Sequence, residues 1–145
     1  MADYKAPLRD MSFVLNEVFE AGKLWERLPA LAESVDTETA SAILEEAGKV
    51  AEGSIAPTNR IGDEEGCKWN DGVVTTPAGF IEAYKTYAEG GWVGVGGDPQ
   101  FGGMGMPKMI TAQIEEMINS ANLSFGLYPM LTAGACLSIH AHASE

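Results

Sequence analysis

The chain has 145 residues, enough for one domain with a hydrophobic core, and its composition is ordinary for a globular protein. Its 21 acidic residues against 9 basic ones give a net charge of -12, which argues against nucleic acid or an acidic membrane surface as a partner. The two cysteines, Cys67 and Cys136, are too few and too far apart for a disulfide framework, and they favour a reducing, cytoplasmic setting.

Two short helices are predicted near the N-terminus. Met11, Leu15 and Val18 recur at helical spacing, which predicts an amphipathic helix over roughly residues 9–21. A second, less regular helix is predicted over residues 24–31. The first residues lack the basic start and the apolar run of a signal peptide, so we do not expect export by that route.

The clearest helical pattern covers residues 37–52. Asp36 is a suitable N-cap for this helix, and Gly53 follows its end. Residues 54–75 contain many turn-forming residues and no sustained period, which predicts a long ordered loop. Val73 and Val74 could be extended, but no alternating run follows to pair with them, so we expect almost no β-sheet.

Three more helices are predicted in the second half of the chain. Thr76 and Pro77 provide the start signals of a helix that ends at Gly90. A glycine-rich loop fills residues 90–107, and Pro107 then begins a helix through Ala121. The last helix is predicted to start near Pro129 and to be still running at Glu145.

The segment from Met117 to Ser144 contains no charged residue. Asn122 and Pro129 interrupt it, which makes it poor material for a membrane span, so we expect other protein to bury it. The rest of the chain offers only narrow apolar faces, and no helix-ending signal precedes Glu145. We therefore expect a piece of a larger protein, or alternatively an autonomous acidic helical interaction module that buries its apolar C-terminal helix on a partner.

The glycine-rich loop begins like a dinucleotide-binding fingerprint. Gly94 and Gly96 match the first two glycines of that motif, but Pro99 stands where the third is required. The loop also follows a predicted helix rather than a strand. We therefore expect the glycines to let the backbone turn sharply beneath packed Trp92 and Phe101.

No metal site or catalytic centre is predicted from the residue pattern. Cys136 and His140 are four residues apart, a spacing that metal sites use, but no further ligand accompanies them. A zinc-binding helix would be the alternative. The adjacent glutamate pairs are most simply solvated, and no serine or cysteine has the surroundings of a nucleophile.

Five segments of the chain match one known sequence pattern: Tyr4–Met11, Ala56–Asp63, Trp92–Val95, Pro99–Pro107 and Glu115–Glu116. Together they resemble one enzyme family, the acyl-CoA dehydrogenases. In that family a glycine-rich loop of this kind leads into a helix that carries an acidic pair. Two of the segments, Tyr4–Met11 and Ala56–Asp63, resemble the subgroup acting on methylthiopropionyl-CoA and similar esters. The likeness extends over essentially the whole chain.

The resemblance implies an all-α fold for this chain. The family combines an N-terminal helical domain, a middle β-domain and a C-terminal four-helix domain, and only the first is matched here. Residues 1–33 would be an N-terminal extension, and residues 34–145 would be the helical domain, incomplete at its C-terminus and truncated before the β-domain.

The resemblance also implies the chemistry of a longer parent protein. That parent would be an FAD-dependent enzyme that dehydrogenates an acyl-CoA thioester, passes electrons to an electron-transfer flavoprotein and forms a homo-oligomer. The flavin contacts and the catalytic glutamate would lie elsewhere, so the fragment alone is expected neither to hold FAD nor to be active. Ordinary core packing remains an alternative role for each expected acyl-pocket residue. These pocket residues are Phe125, Leu127, Tyr128, Leu131 and Thr132.

Overall fold

The computed structural model describes residues 3–143, which form seven α-helices and one antiparallel β-hairpin. The α-helices are α1 (Leu8–Phe13), α2 (Ala21–Trp25), α3 (Thr37–Val50), α4 (Ala56–Glu65), α5 (Phe80–Glu89), α6 (Lys108–Ala121) and α7 (Leu123–His142). Strands β1 (Lys68–Asn70) and β2 (Val73–Thr75) form the hairpin. Short turns of other helix types cover Val14–Val18 and Ala51–Ile55, which are π-helical, and Trp92–Gly94 and Pro99–Phe101, which are 3-10 helical. The predicted helical fold is confirmed.

The two N-terminal helices are shorter than predicted. The π-helical turn that extends α1 ends at Val18, because Glu20 has a positive φ of 45° that an α-helix does not contain. Helix α2 ends at Trp25 and is followed by turns rather than by regular helix. Trp25 is buried in the core, so packing holds this segment in place.

The residues ahead of α1 lie against α3 and its extension. Glu52 accepts hydrogen bonds from Lys5 Nζ at 2.7 Å and from the backbone N–H of Ala6 at 2.9 Å. These donors, Lys5 above all, hold the pKa of Glu52 below its usual value. Gly48 allows this close approach, since a Cβ there would lie 3.3 Å from the Cβ of Ala6.

Helix α3 begins as predicted, but it does not end at Gly53. The Asp36 carboxylate accepts the backbone N–H of Thr39 at 2.7 Å, which confirms the N-cap. The π-helical turn Ala51–Ile55 then leads directly into α4, so the first half of the predicted loop is helical. Pro57 is compatible with α4 because it lies in the first turn, where a missing N–H costs little.

The prediction that Val73 and Val74 have no strand partner was wrong. Their partner strand precedes them in sequence, and Trp69 pairs with Val74. Asp71 and Gly72 connect the strands, both with positive φ, as tight two-residue hairpin turns require. All the strand residues are exposed.

The boundaries of the last three helices agree with prediction only for α6. Helix α5 begins at Phe80 rather than near Thr76, because Gly79 adopts a left-handed conformation with φ of 83° just before it. Helix α7 begins at Leu123, well before Pro129, and ends at His142, where Ala143 is already extended. The predicted continuation to Glu145 therefore fails at Ala143, and Ser144 and Glu145 lie outside the described residues.

One hydrophobic core joins the helices. The largest share comes from one face of α6, which packs against α3, α7 and the π-helical turn between α3 and α4. Only the first turns of α7 contribute to this core, and most of the helix is exposed. Across residues 3–143, every helix is too short or insufficiently apolar to cross a membrane. Core side chains include Leu15, Trp25, Leu44, Ile55, Ile110, Ile114, Met117, Ile118 and Phe125.

Candidate functional site

Aromatic side chains meet where α5 packs beside the start of α7. Helix α5 contributes Phe80, Tyr84 and Tyr87, which are spaced to share one helical face, and α7 contributes Phe125 and Tyr128. We call these five residues the aromatic cluster. Neighbouring ring centroids are 5.7–6.5 Å apart, within the range of favourable tilted and edge-to-face contacts.

The aromatic cluster has a buried floor and an exposed rim. Phe80, Tyr87 and Phe125 are buried, and Phe125 is fully inaccessible to solvent. Tyr84 and Tyr128 remain 40% and 45% exposed. Their rings contact each other at 6.4 Å with an interplanar angle of 70°. The rings of Tyr84 and Tyr128 therefore form an exposed aromatic rim on this surface.

The predicted pocket residues are divided between two sides of α7. Phe125 and Tyr128 belong to the aromatic cluster. Leu127 and Leu131 are one helical turn apart and exposed on the outward side, and Thr132 is also exposed, one turn after Tyr128. Phe125 thus packs as a core residue, and contact of any of the five with an acyl chain stays a prediction.

A buried asparagine fixes the start of α7. Asn122 Oδ1 accepts the backbone N–H of Phe125 at 3.2 Å and the Ser124 hydroxyl at 2.7 Å. Its Nδ2 donates to Thr58 Oγ1 of α4 at 2.8 Å, and the Thr58 hydroxyl donates to the carbonyl oxygen of Ile55 at 2.6 Å. These bonds tie the first turn of α7 to α4, and both side chains are buried.

Sequence reasoning missed Asn122 and Thr58 as positioning residues. The signal for Asn122 was present, because asparagine is among the preferred N-cap residues and an uncharged run follows it. The proline signal instead predicts a helix start near Pro129. The partner Thr58 could not be identified, because it lies far away in sequence in a segment predicted to be a loop.

Tyr87 gives the aromatic cluster a measurable pH response. Its hydroxyl lies 3.4 Å from the carbonyl oxygen of Trp92, and burial raises its pKa to about 12, with Glu115 and Tyr84 adding smaller effects. The folded state therefore favours the neutral phenol. Its contribution to stability is complete below about pH 10, the usual tyrosine pKa, and is lost as the pH rises towards about 12.

We expect Tyr87→Phe to reduce the loss of stability between about pH 10 and about pH 12, because phenylalanine does not ionise. Urea unfolding of both proteins at several pH values in this range measures the effect. The difference between their free energies of unfolding should change with pH. Taking this difference removes the effect of the lysines, because both proteins contain the same ones. Parallel pH profiles would contradict the assignment.

The glycine-rich loop is folded onto itself. The backbone N–H groups of Met104 and Gly105 donate to the carbonyl oxygens of Gly94 and Gly97 at 3.0 and 2.9 Å. A Cβ on Gly103 would lie only 2.6 Å from the Cα of Gly97, so this crossing requires glycine. The predicted backbone role of the glycines agrees with this geometry.

The two aromatic residues of this loop, Trp92 and Phe101, differ in burial. Trp92 packs against the core as expected, whereas Phe101 is 77% exposed, so its predicted packing was wrong. Phe101 ends a short 3-10 turn, and Gly102 with φ of 84° follows it. This turn directs the phenylalanine away from the core.

The candidate metal ligands of α7 are both on its exposed surface. Cys136 is a free, exposed thiol, and His140 Nε2 lies 3.9 Å from the carboxylate of Asp98. Within residues 3–143 there is no group of three or more potential ligands close enough to hold a metal ion. The geometry here offers one histidine–carboxylate contact.

Comparison with known proteins gives one family and three characterised relatives. The sequence profile described as "Acyl-CoA dehydrogenase, N-terminal domain" matches residues 37–145. A 3-methylmercaptopropionyl-CoA dehydrogenase of Ruegeria pomeroyi is 38% identical over 91% of this chain and 22% of its own length. A butyryl-CoA dehydrogenase of Syntrophomonas wolfei is 33% identical over 99% of the chain and 24% of its own length. A broad-specificity linear acyl-CoA dehydrogenase of Mycobacterium tuberculosis is 32% identical over 88% and 21%. The chain thus spans between a fifth and a quarter of the length of these relatives.

Proposed function

Because the chain belongs to the acyl-CoA dehydrogenase family, we propose that it acts as the N-terminal helical domain of an FAD-dependent enzyme that dehydrogenates an acyl-CoA thioester. The reaction removes a proton from the acyl α-carbon and a hydride from the β-carbon. In this proposal the general base and the hydride acceptor belong to other parts of a longer protein. This chain supplies part of the acyl pocket.

The residues of the candidate site on α7 are poorly suited to holding a flavin. A flavin dinucleotide carries a diphosphate, which cationic side chains or oriented amide donors must hold. Helix α7 contains no lysine or arginine, and the net charge of -12 opposes an added anion. We therefore assign FAD to the rest of the longer protein.

The aromatic rim of Tyr84 and Tyr128 is the observation that supports an acyl-binding role. Uncharged aromatic surface suits a short acyl chain, and thioether sulfur also makes favourable contacts with aromatic rings. The Ruegeria and Syntrophomonas relatives are named for 3-methylmercaptopropionyl-CoA and butyryl-CoA. We extend this class of short acyl-CoA substrates to the present chain, with Phe125, Leu127, Tyr128, Leu131 and Thr132 on or beside the pocket.

The exposed apolar surface of α7 supports the placement of this chain within a larger protein. Leu131, Leu137 and Ile139 are exposed on a helix that contains no Asp, Glu, Lys or Arg. Burial of such side chains is favourable by about 1.5–3 kcal/mol each. We propose that the rest of the enzyme covers this surface, within a homo-oligomer that passes electrons to an electron-transfer flavoprotein. A cytoplasmic location is part of the proposal, because two free, exposed thiols suit a reducing compartment.

A chimera tests this proposal directly. Residues 1–145 would replace the matching N-terminal portion of the Ruegeria relative, and FAD content and acyl-CoA-dependent reduction of an artificial electron acceptor would be measured. We expect the chimera to bind FAD and to be active. The relative without its N-terminal portion should be inactive, as should this chain alone. A folded, FAD-loaded chimera that is inactive with every acyl-CoA would overturn the proposal, and stoichiometric FAD on this chain alone would overturn the assignment of the flavin.

The exposed side of α7 also supports a second candidate, an autonomous acidic interaction module that buries this helix on a partner or a second copy. Light scattering separates the two candidates. A soluble assembly of one defined mass, together with an inactive chimera, would favour the module. Heterogeneous self-association of the isolated chain, together with an active chimera, would favour the enzyme domain.

A further inference from the structure

The exposed rim of the aromatic cluster comes equally from two helices. Tyr128 lies on α7, among the predicted pocket residues, whereas Tyr84 lies on α5, outside them. Tyr84 is 40% exposed, and its ring centroid lies 6.4 Å from both Phe125 and Tyr128. A ligand that reaches the α5 side of Tyr128 must therefore meet Tyr84.

The position of this rim is fixed from below. Phe125 contacts both rim residues and is itself packed edge-to-face on buried Tyr87 at 5.7 Å. Phe80 also contacts Tyr128 edge-to-face at 6.5 Å. Moving these close-packed rings apart would break contacts with the core, so the packing opposes separation of the two rim rings.

The small separation of the rim rings leaves no passage between them. The Tyr84–Tyr128 centroid distance of 6.4 Å lies within the range of favourable aromatic pairs. An apolar chain between the rings would need about 4.0–4.5 Å to heavy atoms on each side, which is more than this distance leaves. A methylene chain therefore has no room to pass between the two rings. An acyl chain that follows Tyr128 towards α5 must stop at Tyr84 or turn away.

We propose that Tyr84 is a specificity-determining residue whose ring limits the length of the acyl chain on the α5 side of the pocket. This proposal rests on the proposed function, because it requires the acyl chain to lie against Tyr128. The limit depends on the size of the ring rather than on its hydroxyl, since the ring makes the contacts with Phe125 and Tyr128.

The test uses the chimera described above and measures kcat/KM for butyryl-CoA and octanoyl-CoA. We expect Tyr84→Ala to raise the ratio of octanoyl-CoA to butyryl-CoA activity by about tenfold or more, because single methylenes in apolar pockets change specificity by about 10–200-fold. Tyr84→Phe should leave the ratio within about twofold of the parent chimera. Ile81→Ala is the matched control, since Ile81 is an exposed apolar residue of α5 outside the aromatic cluster.

The outcomes separate the two proposals. An inactive parent chimera refutes the proposed function and, with it, the role of Tyr84. An active parent chimera whose ratio is unchanged in FAD-loaded Tyr84→Ala overturns the role of Tyr84 alone. If Tyr84→Ala does not fold, Tyr84→Leu and Tyr84→Trp decide: the smaller side chain should raise the ratio and the larger one should lower it. Equal loss of activity on both substrates in these variants would show a merely structural role and overturn the inference.

Discussion

Replacing Phe125 with alanine is expected to lower the free energy of unfolding by about 3–5 kcal/mol. Phe125 is fully buried and contacts all four other rings of the aromatic cluster. The substitution removes both its buried apolar surface and its ring contacts, and the surrounding helices can close the cavity only in part. Since small domains are stable by about 5–15 kcal/mol, a loss of this size would remove a large share of the stability of the fold.

Urea unfolding followed by far-UV circular dichroism measures this loss. Tyr128→Ala is the matched control, because Tyr128 belongs to the same cluster and the same helix but is 45% exposed. Tyr128→Ala should lower the free energy of unfolding clearly less than Phe125→Ala does, since it removes less buried apolar surface. Equal losses for the two variants would contradict the argument that the burial of Phe125 sets its contribution to stability.

Asn122→Ala is expected to lower the free energy of unfolding by about 2–4 kcal/mol. An N-cap contributes about 1 kcal/mol, and each buried polar group left without a partner costs about 1–3 kcal/mol. The substitution leaves the backbone N–H of Phe125 without its acceptor and removes the donor to Thr58. Equilibrium unfolding in urea again gives the measurement.

A double-mutant cycle with Thr58→Val isolates the bridge between α4 and α7. Valine has nearly the shape of threonine but cannot accept the hydrogen bond from Asn122 Nδ2. Residues in direct contact show coupling energies of about 0.5–3 kcal/mol. Strict additivity of Asn122→Ala and Thr58→Val would show that the 2.8 Å bond contributes nothing to stability.

The helices that sequence could predict are those whose local signals agree with their packing. Helix α3 combines a regular apolar face with an aspartate N-cap, and α6 combines a regular face with a preceding proline. The sequence predicts a loop in place of α4, because Pro57 and Gly62 usually break helices. Pro57 lies in the first turn, and Gly62 makes room for the ring of Phe80, since a Cβ there would lie 2.9 Å from that ring. Both reasons are visible only in the packed structure.

The candidate site was predictable from one helix only. The resemblance predicts Phe125 and Tyr128 in the acyl pocket, and the sequence also predicts a helix where α5 lies. Their association was not predicted, because it depends on how α5 and α7 pack, and these helices are separated by the glycine-rich loop and α6. The bridge from Asn122 to Thr58 is hidden for the same reason, since tertiary contacts leave no periodic signal in a single sequence.

The π-helical turn Ala51–Ile55 sets the rotational phase between α3 and α4. A π-helical turn accommodates an additional residue within a helix, and each residue of an α-helix advances the side-chain direction by about 100°. Removal of one residue from this turn would rotate Thr58 by about that angle, away from the amide of Asn122. The hydrogen bond that positions the first turn of α7 therefore depends on one additional residue in the helix that precedes α4. Gly53 lies in this turn and its Cβ position is open, so its deletion would remove no side-chain packing but would weaken the attachment of α7.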